Sequence, residues 1–293
     1  MPKREAPSAP AFRDSEEPLV IAGQKIEPGQ RVKLDIPVAS SFGQAETALR
    51  VVVVRGRKPG PRLFVSAAVH GDEINGVEII RRLLGTSALR SIHGTLIAVP
   101  VVNIYGFTGQ SRYLPDRRDL NRAFPGSPRG SLAARLAHTF MTEVVDHCTH
   151  GIDLHTGAIH RANLPQIRAC FDQPETERLA RAFGTPVLLP ANVRDGSLRQ
   201  AAFERDMPML LYEAGEALRF DEVSIRAGVR GVISVMRALE MLRASKRSQS
   251  PRAPIVCDRT RWERAPAGGI LRPRVQLGDT VARGAPLATL SDH

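Results

Sequence analysis

Short apolar runs alternate with amphipathic segments along most of this chain, and that alternation restricts its fold more than any other feature. The runs fall at residues 49–54, 62–69, 95–102, 151–155, 166–171, 187–189 and 209–213. Several lack in/out alternation, as strands covered on both faces do. Helical patterns lie between them. One covers residues 74–84. Another, residues 131–148, carries Leu132, Leu136, Phe140, Val144 and Cys148 at a spacing of four, with Ser131 placed to cap its start. A third, residues 221–242, sets Ile225, Val229, Val232, Met236 and Leu239 on one face behind a capping Asp221. Gly228 and Gly231 weaken that helix locally, so close packing against a neighbour is expected there. The alternation predicts an α/β fold with a mainly parallel mixed sheet covered by helices on both faces. Ligand sites in such sheets lie beyond the carboxyl ends of the strands.

Two of these ends carry histidine. Val65 to Val69 runs into His70-Gly71-Asp72-Glu73, and Gly151-Ile152-Asp153-Leu154 runs into His155-Thr156-Gly157. A histidine and a carboxylate three residues apart at a strand end can reach one cation, and zinc accepts such N and O donors. For His70 and Glu73 alone an ordinary turn would explain the pattern. The second strand-end histidine makes a shared site of His70, Glu73 and His155 the better reading. Asp153 reads either as a partner that orients a histidine or as a structural acid. A third strand end delivers Glu213, which is costly to bury without a partner and beside metal-activated water would be a general base. Glu216, beyond Gly215, reads as an exposed loop acid.

Between a strand and a helix, residues 109–126 are too rich in Pro, Gly and Arg to be either. Long irregular loops of this kind usually carry function. Arginine suits carboxylate recognition and oxyanion stabilisation. Arg112 and Arg122 are the candidates because anchoring residues flank each; Arg117 and Arg118 read as solvated surface.

The net charge of +11 points to anionic partners. Aromatic residues are only 5% of the chain, too few for base stacking, so nucleic acid is not expected and a small anionic substrate is. No apolar run approaches transmembrane length. Cys148, Cys170 and Cys257 have no C-x-x-C spacing, which fits a reducing compartment, and the protein is expected to be cytoplasmic. Residues 1–16 read as a disordered leader. The oligomeric state stays open, a homo-oligomer included.

Taken together, His-Gly-Asp-Glu, Asp-Leu-Asn-Arg at 119–122, Asp-Leu-His-Thr-Gly and the strand-end Glu213 resemble the succinylglutamate desuccinylase/aspartoacylase family, within the zinc carboxypeptidase-like clan. The similarity runs from about residue 62 to 242. It implies one zinc per chain on His70, Glu73 and His155. It also implies that Arg112 polarises the scissile carbonyl, that Asn121 and Arg122 grip a substrate carboxylate, and that Glu213 serves as base and then acid. The implied activity is a zinc-dependent deacylase that cleaves the amide of a small N-acyl amino acid or related compound through attack of zinc-bound water. A carboxypeptidase or esterase on another small substrate is the alternative, as is a catalytically silent metal-bound binding protein. The segment 158–165 is expected to border the pocket, with His160 and Arg161 facing it. On this reading the catalytic domain spans 17–245, a linker 246–254, and a small, incomplete β module 255–293. The module echoes a biotinyl/lipoyl-like half-barrel but has no attachment lysine at a tip, so no covalent cofactor is expected.

Overall fold

The computed structural model describes residues 18–38, 47–244 and 253–292. The expected leader lies outside the described residues, as does most of the expected linker. The strands are β1 (Leu19–Ile21), β2 (Gln24–Ile26), β3 (Arg31–Val38), β4 (Thr47–Arg55), β5 (Lys58–Ala67), β6 (His93–Val99), β7 (His150–Gly157), β8 (Asn163–Ala169), β9 (Val187–Pro190), β10 (Met209–Glu216), β11 (Ile255–Val256), β12 (Ile270–Pro273) and β13 (Ala288–Ser291). The helices are α1 (Asn75–Leu84), α2 (Ile104–Thr108), α3 (Leu132–Glu143), α4 (Pro174–Phe183), α5 (Leu198–Phe203) and α6 (Glu222–Ala238).

Among the described residues a nine-stranded sheet runs in the order β11-β9-β8-β10-β7-β5-β6-β4-β3. Its centre is parallel: β10 with β7, β7 with β5, and β5 with β6. β8 enters antiparallel to β10, and β4 and β3 continue antiparallel beyond β6. The expected mainly parallel mixed sheet is therefore present. Alternate residues feed two separate cores. Val51, Val53 and Phe64 pack with Leu136 and Phe140 of α3 on one face. Val52, Leu63, Val65, Ile152 and Tyr212 pack with α1, α4 and α6 on the other. Coverage on both faces is why these strands read as continuous apolar runs.

The expected close packing at α6 has a definite cause. A Cβ on Gly231 would lie 2.0 Å from the Phe183 ring, and one on Gly228 would lie 2.3 Å from Ile79. Several boundaries differ from expectation. β6 stops at Val99 because Pro100 has no N–H for the ladder. The helix expected over 131–148 ends at Glu143; Ser131 does cap it, accepting from the Ala134 N–H, and Val145–His147 continue as a tighter 3-10 turn. The expected C-terminal module also loses its first strand. Ile255–Val256 pairs in parallel with β9 in the large sheet, covering an edge that would otherwise present unpaired backbone groups.

The chain divides into two compact units, Met1–Val256 and Cys257–His293. The second contains one antiparallel pair, β12 with β13, and many of its apolar side chains are exposed, Trp262, Ile270 and Leu277 among them. Among the described residues no helix is long and apolar enough to cross a membrane.

Candidate active site

The carboxyl ends of β5, β7 and β10 lie side by side, because these three strands are parallel neighbours. Register sets which side chains meet. Ala67 pairs with Leu154 and His155 with Glu213, so His70 emerges three residues past β5, beside His155. Leu154 and Tyr212 belong to the core under α1 and α6. Asp153, His155 and Glu213 therefore face the opposite side, where the loop after α2 lies. Gly71 makes the turn at His70 feasible, since a Cβ there would fall 1.9 Å from the Gly106 carbonyl carbon at α2. Ala68, just before it, adopts a left-handed backbone with φ 49°. Sparsely populated conformations of that kind cluster at functional sites.

His70, Glu73 and His155 converge in a buried cluster whose potential ligand atoms lie within 4.8 Å of one another. Nδ1 of His70 is 2.7 Å from Oε1 of Glu73, and Nδ1 of His155 is 2.7 Å from Oε2. The backbone N–H of Thr156 donates to that same Oε2. The outer nitrogens are held as well. Nε2 of His155 lies 2.6 Å from Asp153, whose other oxygen accepts from the Ser66 hydroxyl. Nε2 of His70 lies 3.2 Å from Asp119. A carboxylate on the outer nitrogen fixes an imidazole's tautomer and aims its other lone pair inward.

The electrostatics favour a cation. Burial would raise the Glu73 pKa, but His70 and His155 outweigh it and hold that carboxyl far below the usual range. Asp119 behaves alike: burial opposes ionisation, and His70 and Arg112 overcome it. Burial likewise opposes protonation of His155, yet Asp153 and Glu73 carry its pKa well above that of a free imidazole. Of the three carboxylates, Glu73 and Asp119 pair with Arg112, and Asp153 pairs with His155. With neutral imidazoles the cluster keeps an excess of negative charge, which suits a divalent ion. The N and O donors are those zinc accepts. His70, Glu73 and His155 can hold a metal.

The remaining expected residues fall into two groups. Arg112 contacts this assembly directly, and Glu213 stands in register with His155 on the neighbouring strand. Arg112 contacts Asp119 at 3.0 Å and Glu73 at 3.4 Å and stays 29% exposed, open to a ligand. Glu213 accepts from the Asn163 amide at 2.7 Å. Asn121 and Arg122 are tied to it only through Asp119. Asn121 is buried, its N–H donates to Asp119 and its side-chain oxygen accepts from the Leu198 N–H. Arg122 is exposed and folds back on the Asn121 carbonyl. His160 and Arg161 are exposed. Glu216 accepts from the His160 N–H and approaches Arg219. Asp119, Asn163 and Arg168 carry no sequence signal that marks them individually. Asp119 lies within the irregular loop and Asn163 within the pocket segment, but no local pattern reveals their partners.

The family profile described as the succinylglutamate desuccinylase/aspartoacylase catalytic domain matches residues 59–239. The chain is 26% identical, over 88% of its length and 79% of the relative's, to an N-alpha-acetyl-L-2,4-diaminobutyric acid deacetylase of Halomonas elongata. It is 30% identical to a succinylglutamate desuccinylase of Pseudomonas aeruginosa, over 50% of this chain and 46% of that one. Among solved structures, the product-bound ectoine utilization protein EutE (DoeB) of Ruegeria pomeroyi superposes with a TM-score of 0.78 at 22% identity, covering 94% of this chain and 85% of that one. A succinylglutamate desuccinylase/aspartoacylase of Rhodobacter sphaeroides gives 0.77 at 23%, covering 90% and 83%. At such identities these two likenesses establish the fold.

Proposed function

The chain belongs to the succinylglutamate desuccinylase/aspartoacylase family of hydrolases, and from that membership we propose that it is a zinc-dependent deacylase cleaving the amide of a small N-acyl amino acid. The observation that carries this reading is the doubly braced cluster. Each imidazole turns Nδ1 to Glu73 and Nε2 to a carboxylate, and Glu213 stands in register with His155 on the next strand.

His70, Glu73 and His155 hold the zinc. When bound, zinc supplies Lewis acidity that polarises a carbonyl and acidifies water to a pKa of about 7. Glu213 takes a proton from the attacking water and delivers it to the leaving nitrogen. Asn163 keeps one Glu213 oxygen engaged, which orients the other. Arg112, partly exposed at the cluster's edge, meets the negative charge that develops on the carbonyl oxygen. Asn121 and Arg122, on the turn after Asp119, take a substrate carboxylate, for which the Arg122 side chain swings away from the Asn121 carbonyl. The relatives' names, a deacetylase and a desuccinylase, support amide cleavage of this kind. The sparse cysteines, without C-x-x-C spacing, support a cytoplasmic setting for this reaction.

A hydrolysis screen tests this reading. The zinc-loaded protein is offered N-acetyl and N-succinyl amino acids beside matched esters and C-terminal peptides. Release of free amino acid from the N-acyl amides is expected. Turnover confined to peptides or esters would replace the deacylase with one of its alternatives.

A further inference from the structure

The buried face of α1 begins with a polar residue where packing alone would take an apolar one. Asn75, Ile79, Ile80 and Leu83 lie on that face, and Asn75 is 1% exposed. No side chain caps the start of this helix, so the Asn75 amide is not spent there. It crosses to β10 and the loop beyond it instead. Nδ2 donates to the Ala214 carbonyl at 3.3 Å, and Oδ1 accepts from the Asp221 N–H at 3.0 Å. An amide is costly to bury unless it is hydrogen-bonded, and here both of its ends are.

Those two bonds grip an irregular piece of strand. β10 advances from Glu213 to Glu216 while β7 advances only from His155 to Gly157, so β10 bulges directly after Glu213. A bulge bends its strand and re-aims the side chains beside it. This one depends on Gly215, whose φ is 73° and where a Cβ would fall 2.5 Å from Nδ2 of Asn75. A further bond joins the same two segments, from the Leu218 N–H to the Asp72 carbonyl at 2.8 Å. The turn that carries His70 and Glu73 is thereby fastened to the stretch that follows Glu213. Ala214 belongs to the core under α1, whereas Glu213 faces the opposite side with His155. Asn75 therefore acts on Glu213 through the backbone and touches no reacting group.

We propose that Asn75 is a positioning residue: its amide locks the β10 bulge to the turn that carries His70 and Glu73 and so fixes Glu213 relative to His70, Glu73 and His155. The inference rests on the deacylase reading and adds a residue to it. A general base must stand within hydrogen-bond reach of the proton it takes. Here the base arrives on β10 and two of the three ligands on the turn after β5, so the join between those elements sets the fit. Strand pairing supplies that join as far as Glu213 and His155, and the bulge interrupts it at the next residue. Asn75 takes over where the ladder breaks. A misplacement of about 1 Å at such a site can cost about 10²-fold in rate.

The test uses the zinc-loaded full chain and an N-acyl amino acid that the wild type hydrolyses. Asn75→Ala is expected to keep its zinc and to lower kcat about 10- to 100-fold with KM little changed. Ile80→Val, a loss of packing in the same helix, should stay near wild type in kcat. A folded, zinc-loaded Asn75→Ala with wild-type kcat would overturn the proposal, as would an equal fall in Ile80→Val or a rise in KM alone. Asn75→Asp keeps the shape and the acceptor for Asp221 but loses the donor to Ala214, so it carries the same prediction where the alanine variant does not fold. Failure of both to fold would show a purely structural residue and reject the positioning role. Hydrogen–deuterium exchange of the metal-free proteins reads the lock without turnover. Backbone amides of residues 213–221 should exchange faster in the Asn75 variant than in wild type, and at the wild-type rate in Ile80→Val. If wild type hydrolyses no amide, the deacylase reading fails; that exchange pattern would still uphold the lock on Glu213, and exchange equal to wild type would reject it.

Discussion

Replacing Glu213 by glutamine keeps the side chain's shape and its oxygen for the Asn163 amide while removing the base. Glu213→Gln is expected to retain metal and fold and to lose about 10²- to 10⁴-fold in kcat, the usual size of a general acid–base contribution. Steady-state kinetics beside Glu216→Gln checks the choice of acid; loss in the second variant and none in the first would reverse it. The two arginines should separate kinetically. Arg112 touches Glu73 and Asp119 from the cluster's edge and is assigned the charge developing on the carbonyl oxygen, so its loss should lower kcat. Arg122 is exposed and is assigned a ground-state carboxylate, so its loss should chiefly raise KM. Equal KM values of wild type for carboxylate-bearing and amidated substrates would remove that role. The grouping of His70, Glu73 and His155 was legible in the sequence because both histidines directly follow apolar runs and Glu73 lies three residues beyond the first. Asp119 was not, since its contact to His70 spans 49 residues and depends on the course of an irregular loop.

At the level of elements, β7 carries a pH-dependent load at its first residue. His150 is buried, and burial pushes its pKa down to about 4 from 6.5, despite the opposing pull of Glu175. Because the folded pKa is the lower one, the unfolded chain takes up the proton first as pH falls. His150's contribution to stability is therefore full above about pH 6.5 and declines toward pH 4. At about 1.4 kcal/mol per pKa unit the loss is on the order of 3 kcal/mol. Denaturant midpoints of wild type and His150→Gln, both metal-free, should converge over this interval as pH falls. A gap that stays constant would contradict the assignment. The central strands were legible because both of their faces are apolar. β8 was legible as a strand but not as an antiparallel one, and its direction decides which of its side chains reach Glu213. β3 does show polar and apolar alternation, with Leu34, Ile36 and Val38 buried, a pattern of half-buried strands that the apolar-run criterion passes over.

On the scale of the whole molecule, a chain of net charge +11 encloses a metal-type cluster rich in carboxylates and flanks it with arginines. That combination favours capture of an anionic substrate by the overall field and of a cation by the local one. Among the described residues, the nine-stranded sheet and its two cores include none of residues 257–293. A protein ending at Val256 keeps β11 on the β9 edge and should remain folded and bind zinc, as thermal melting and metal analysis would show. An insoluble or metal-free product would show that the C-terminal unit is integral to the catalytic fold. Ile255 and Val256 look like module strands in sequence, and only long-range pairing assigns them to β9.

The proposed chemistry depends on the metal. Elemental analysis of purified wild type, His70→Ala and His155→Ala tests it most directly. About one zinc per chain in wild type, with near-complete loss in both variants while they stay folded, is the result predicted from the shared position of His70, Glu73 and His155. A wild type that takes up no zinc, or variants that bind it as fully as wild type, would contradict the metal site and the deacylase mechanism built on it.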